Sequence, residues 1–148
     1  MKEYKSKLDK ISLVRERTDI PRAKITCSND GAEYARNFFS DDLTIYESFF
    51  MMMLNNSNNT IGYVKISQGG MTGTLVDVRI LAKYAIESLC TAVVLVHNHP
   101  SGALKASEAD KALTKKIQRA LEFFDIRVLD HLILTETSYY SFGDECNL

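Results

Sequence analysis

AVVLVHNHPSG, running from Ala92 to Gly102, decides the fold. Ala92–Val96 is apolar without alternation, as in a central strand covered on both faces. Pro100 lacks an N–H and restricts the residue before it, so the strand ends there and Ser101-Gly102 continue into a turn. His97 and His99 are two residues apart, which in an extended chain turns both imidazoles to one side. They lie at the carboxyl end of the strand, where open α/β sheets place their sites. Two co-facing histidines are half of a common zinc site, and they also suit an ordinary strand end.

The surrounding sequence alternates strand and helix signals. Tyr46–Leu54 is almost wholly apolar after Glu47, NNSNN at Asn55–Asn59 marks a turn, and Thr60–Ser67 reads as the second arm of a hairpin. Met51, Met52 and Met53 are strand core, one of them on the opposite face of the sheet. Gly69, Gly70 and Gly73 mark a loop before a short strand at Thr74–Val76. Asp77 caps a helix carrying Val78, Leu81, Ala82, Ala85 and Leu89 at helical spacing. Beyond the HNHPSG loop, a helix is predicted from about Ser107 to Phe124, then strands at Ile126–Leu134 and Tyr139–Phe142. This order indicates an α/β fold, a sheet with helices packed against it. Residues 1–40 read as an N-terminal extension packed on a body of residues 41–148. In the extension, Ile11–Arg15 and Lys24–Cys27 read as short strands around Pro21, and Ser28 as the N-cap of a helix through Ala32, Ala35, Phe38 and Phe39.

Composition narrows the class. The 148 residues carry 18 Lys and Arg against 19 Asp and Glu, a formal charge of −1, unlike a chain held to nucleic acid mainly by phosphate neutralisation. The balance is uneven, with nine basic and six acidic residues in 1–40 but nine and thirteen in 41–148. Three cysteines, Cys27, Cys90 and Cys146, show no CxxC spacing and match no zinc-deaminase PCxxC, so reduced thiols in a cytoplasmic protein are expected. No apolar run approaches the ~18 residues of a membrane span, and the first residues lack the apolar stretch of a signal peptide.

Two carboxylates stand out. On the helix after the HNHP turn, Asp110 aligns within ~20° of Ile117 and Leu121 and ~40° of Phe124, a costly place for an unpaired charge. A metal ion is one partner for it; the alternative is the S-x-x-D capping box formed by Ser107-Glu108-Ala109-Asp110. Glu47 opens a strand that is otherwise apolar. It reads either as a solvated or ion-paired strand end, or as a carboxylate in a poorly solvated cleft with a raised pKa, suited to proton transfer.

Taken together, Glu47, His97-x-His99, seven residues beginning with Pro100, Ser107, two residues and Asp110 resemble the JAMM motif of the JAB/MPN metalloprotease-like domains. HNHPSG, Asp130-His131 and Tyr140-Ser141-Phe142 are similar to the RadC branch of that family, over about residues 44–145. The resemblance implies a mixed β-sheet flanked by helices, related to the cytidine deaminases. It also implies one zinc ion on His97, His99 and Asp110, with Glu47 as general acid/base and Ser107 as a donor to the oxyanion. The activity implied is amide or isopeptide hydrolysis of a peptide or protein substrate. The family's DNA-repair label offers the other reading, a DNA-binding or nuclease-like accessory module, although residues 1–40 do not supply the helix-hairpin-helix region that RadC-like proteins commonly carry. His131 reads as a histidine at a strand edge or behind the ligands, and Lys111, Lys115 and Arg119 as a solvated helix face.

Overall fold

The apolar run becomes β3 (Ala92–Asn98), every residue of it buried. In the computed structural model, which describes residues 7–70 and 75–148, β3 is the middle strand of a five-stranded sheet. On one side it pairs antiparallel with β1 (Ser48–Leu54), on the other parallel with β4 (Arg127–Leu134). The edges are β2 (Thr60–Gln68), antiparallel to β1, and β5 (Tyr139–Ser141), antiparallel to β4. The order is β2-β1-β3-β4-β5, so the expected mixed sheet flanked by helices is present.

Helices cover both faces. α1 (Ser28–Ala35), extended by a 3-10 turn at Arg36–Phe38, lies on one; α2 (Val78–Glu87) and α3 (Glu108–Glu122) lie on the other. Alternation along each strand sorts the side chains. Phe50, Met52, Val94, Val96, Leu132 and Leu134 face α1, while Phe49, Met51, Val93 and Leu95 face Leu81, Ala85, Ile117 and Leu121. Met52 is therefore the methionine on the opposite face. The hairpin closes through Asn55, whose side-chain oxygen accepts from Ser57 and Asn59 N–H at 3.0 Å each, and through Asn58 at φ 59°. Asparagine tolerates this left-handed conformation better than most residues, which explains a turn built from NNSNN.

Several sequence expectations need correction. Residues 11–15 carry no strand and are exposed: among the described residues no strand pairs with them, and Arg15 reaches only the Ser88 carbonyl through its side chain; Lys24 makes an isolated bridge to Asn59. The cap of α1 is Cys27 without a side-chain bond; Asp30 instead accepts from Thr26 N–H and Oγ1, one turn further in. Of the proposed strand at 74–76, Leu75 and Val76 are not extended into a ladder, and Thr74 lies outside the described residues. Asp77 does cap α2, accepting from Arg79 N–H at 2.9 Å. The last helix stops at Glu122, leaving Phe124 beyond the apolar face and 54% exposed. Among the described residues no helix is long and apolar enough to cross a membrane, and all three cysteines are free thiols.

Candidate functional site

The end of β3 sets the geometry. His97 projects to the α3 side, and His99 follows it past the last paired residue. Their Nε2 atoms approach to 3.1 Å. His99 Nδ1 is 2.8 Å from the carbonyl of Ala103, which can only accept; Nδ1 therefore carries a proton, and Nε2 is the atom turned toward His97 and Asp110.

Asp110 caps its helix and also faces both imidazoles. It closes the capping box of α3: its Oδ2 accepts from Ser107 N–H at 2.8 Å, and Ser107 Oγ accepts from Asp110 N–H at 3.0 Å. From that anchored position Oδ1 lies 3.4 Å from His97 Nε2, and Oδ2 lies 3.6 Å from His99 Nε2. A tetrahedral ion with bonds of about 2.0–2.2 Å needs ligand–ligand edges of about 3.3–3.6 Å. The imidazole nitrogens are 3.1 Å apart, and each has one Asp110 oxygen near that distance, Oδ1 at 3.4 Å from His97 and Oδ2 at 3.6 Å from His99, so these side chains could surround a small divalent cation.

Glu47 reaches the same place from the other side of β3. Phe49 is in register with His97 across the antiparallel pair, so Glu47, two residues earlier, comes level with His99. Its Oε1 is 3.9 Å from His97 Nε2, and ligand atoms of Glu47, His97 and His99 all lie within 4.8 Å of one another. The Glu47 side chain is 16% exposed. Burial pushes its pKa up against the pull of the His99 charge, with Asp110 adding to the rise. No lysine or arginine pairs with it among the described residues, so the ion-paired reading of Glu47 is not what the fold provides. Asp110 goes the other way. Burial raises it, but hydrogen bonding to His99, the charge of His97 and the Ser107 contacts outweigh that and hold it well below the usual carboxylate range. Two carboxylates a few ångströms from the same imidazoles are thus separated in basicity, the arrangement by which a site divides ligand from proton carrier. Burial lowers His97 to about 4, which keeps it a neutral donor.

Two groups important to the site are not evident from motif spacing. Asn98 is fully buried on the α1 face of the sheet. Its Oδ1 accepts from Ser48 N–H at 2.8 Å, and its Nδ2 donates to the carbonyls of Leu43 and Tyr46 at 2.6 and 2.7 Å. These bonds bracket Glu47 in the chain and hold the segment that presents it. The available signal was an amide in an otherwise apolar central strand, since a buried polar side chain has to find partners. The second group is His131 on β4, with no exposed surface and its Nε2 2.7 Å from His97 Nδ1. It sits behind His97 on an inner strand, the second of the two positions that its sequence context suggested.

Ser107 is exposed at the mouth of the site. Capping uses its oxygen as an acceptor and leaves its proton available to donate. Ser107→Ala is expected to lower stability by about 1 kcal/mol, the usual worth of such a cap. Urea unfolding checks this, with Ser107→Thr retaining most of the difference; an unchanged midpoint in the alanine variant would show that Asp110 is held by other means. On the same helix Lys115 and Arg119 are exposed, and half-buried Lys111 pairs with Glu108 at 3.3 Å, in keeping with a solvated face.

A family model described as RadC-like JAB domain matches residues 25–148. A UPF0758 protein of Flavobacterium johnsoniae is 48% identical over 122 residues, 82% of this chain and 52% of that relative. A UPF0758 protein of Saccharophagus degradans is 42% identical over 98 residues, 66% of this chain and 44% of its own length. The UPF0758 protein YfjY of Escherichia coli is 41% identical over 98 residues, 66% of this chain and 61% of its own. The chain spans about half the length of most of the curated relatives it matches.

Proposed function

The chain belongs to the RadC-like JAB domain family, and on that premise we propose that it is a zinc-dependent hydrolase of JAMM type that cleaves an amide or isopeptide bond in a peptide or protein. The observation that carries this reading is the convergence of His97, His99 and Asp110 beside a half-buried Glu47. Two imidazoles and one carboxylate are a donor set for a catalytic zinc, which keeps a coordination position open.

Zinc held by these three residues would supply Lewis-acid chemistry, acidifying water and polarising the amide carbonyl. The chain's own groups do the remainder. Glu47, raised in pKa by burial, takes up a proton at Oε1 as water attacks and returns it to the departing amine. Ser107 Oγ, fixed by the cap, donates its proton as a hydrogen bond to the developing oxyanion. Asp110 stays ionised throughout, because its contacts favour the charged form. The free thiols at Cys27, Cys90 and Cys146 suit a reducing, cytoplasmic setting.

The test is a screen of zinc-replete protein against peptide, isopeptide and nucleic-acid substrates, with Glu47→Gln as the blank. Release of a new amine from a peptide or isopeptide, absent in the blank, is expected. Cleavage confined to nucleic acid, or salt-sensitive DNA binding with no amide cleavage, would replace this reading with the DNA-associated one.

A further inference from the structure

Behind His97 runs a chain of three short contacts. Thr114 Oγ1 lies 2.7 Å from the carbonyl oxygen of Asp110, one helical turn back on α3. The same Oγ1 lies 2.6 Å from His131 Nδ1, and His131 Nε2 lies 2.7 Å from His97 Nδ1. Thr114 and His131 have no exposed surface and His97 is 1% exposed, so water does not share these contacts.

The proton positions follow from one end. A carbonyl only accepts, so the single hydroxyl proton of Thr114 goes to Asp110. Thr114 Oγ1 must then accept at its other contact, and His131 Nδ1 carries a proton. His131 is stacked on Phe142, with ring centroids 4.5 Å apart, and has Phe49 edge-on at 5.5 Å. Among the described residues no carboxylate touches either ring nitrogen, so nothing offsets the cost of charging this fully buried ring, and the neutral ring presents Nε2 as a lone pair. The donor in the next contact is therefore His97 Nδ1–H, which leaves His97 Nε2 unprotonated and directed at His99, Asp110 and Glu47.

We propose that Thr114 and His131 are positioning residues that fix the tautomer of His97, so that its Nε2 lone pair faces the cation site. His99 obtains the same Nδ1 protonation from the Ala103 carbonyl, in a single step through the backbone. His97 obtains it through two side chains, because its Nδ1 points into the sheet-to-helix layer. The opposite tautomer would place an N–H where a ligand atom is needed and would require every bond of the chain to reverse, including one to a carbonyl that cannot donate. The role as a cation-positioning device rests on the metal-site reading above; the proton arrangement does not.

Two measurements on the full chain separate these points. In metal-free protein labelled with ¹⁵N-histidine, long-range ¹⁵N–¹H correlation is expected to show His97 and His131 both protonated at Nδ1 and bare at Nε2. A proton on His97 Nε2 would overturn the proposal without any variant being made. Zinc affinity, measured with zinc alone by competition with a chromophoric chelator, is expected to fall roughly 10–100-fold in Thr114→Val, the usual cost of removing an outer hydrogen bond from a ligating histidine. Thr114→Ser should restore both the affinity and the tautomer pattern, which a loss of packing alone would not predict, since serine lacks the methyl group that valine keeps. Unchanged affinity in Thr114→Val would remove the relay from metal binding. Should unmodified protein bind no zinc while showing the expected tautomers, the metal-site reading fails and the hydrogen-bond chain stands as a purely structural feature.

Discussion

Protein purified without added metal is expected to carry about one zinc per chain, and His99→Ala to lose it. A four-ligand structural zinc site is worth ~10–16 kcal/mol, or ~2.5–4 kcal/mol per ligand, so removal of one imidazole should weaken binding by roughly 70- to 1000-fold. His99 suits the test better than His97. Its side chain keeps 15% exposure and lies past the last strand pair, so the substitution disturbs the sheet less. His97 is 1% exposed and bonded to His131, so its removal would also disturb the sheet-to-helix layer. Elemental analysis of both proteins decides the matter. Absence of zinc from the unmodified chain so purified, or stoichiometric zinc in His99→Ala, would sink the metal site.

The second large effect concerns Glu47→Gln. General acid–base groups contribute typically 10²–10⁴-fold, so kcat should fall by that factor, about 2.7–5.4 kcal/mol of barrier, while zinc content stays at the unmodified level. The expected stability change has the opposite sign. The folded pKa of Glu47 is raised by burial, so the charged form at neutral pH opposes folding, and this cost is relieved only as pH falls and the group protonates. A neutral isostere removes the cost at all pH values. Glu47→Gln should therefore be as stable as the unmodified protein at neutral pH or more so, and its advantage should shrink on acidification. Thermal midpoints at two pH values, alongside kcat and metal analysis, test the whole set. Retained turnover would remove Glu47 from proton transfer; loss of zinc would make it a ligand instead.

Different parts of this molecule were legible to different depths. The β1–β2 hairpin, α2, β3, α3 and β4 follow from periods of two and 3.6 residues and from caps such as Asp77 and Ser107, all of them local signals. Residues 11–15 are the failure of the same method. Their alternation resembles a strand, but a strand forms only where a neighbour supplies its hydrogen bonds, and among the described residues no strand pairs with them.

In the site, the sequence by itself determined the pairing of His97 with His99, through strand alternation, and of Ser107 with Asp110, through one helical turn. It left open whether Asp110 caps its helix or turns to the histidines, and the tertiary structure shows the two are compatible: a carboxylate has enough lone pairs to close a cap and still face two imidazoles. Only the tertiary structure brought Glu47 to the histidines, by the Phe49–His97 register across the sheet. It alone supplied the Asn98 clamp on the chain around Glu47 and the His131–Thr114 contacts behind His97. The physical reason is the range of each interaction. Backbone geometry fixes side-chain direction over two to four residues, but strand register and buried hydrogen-bond partners far apart in the chain are set only when the layers pack.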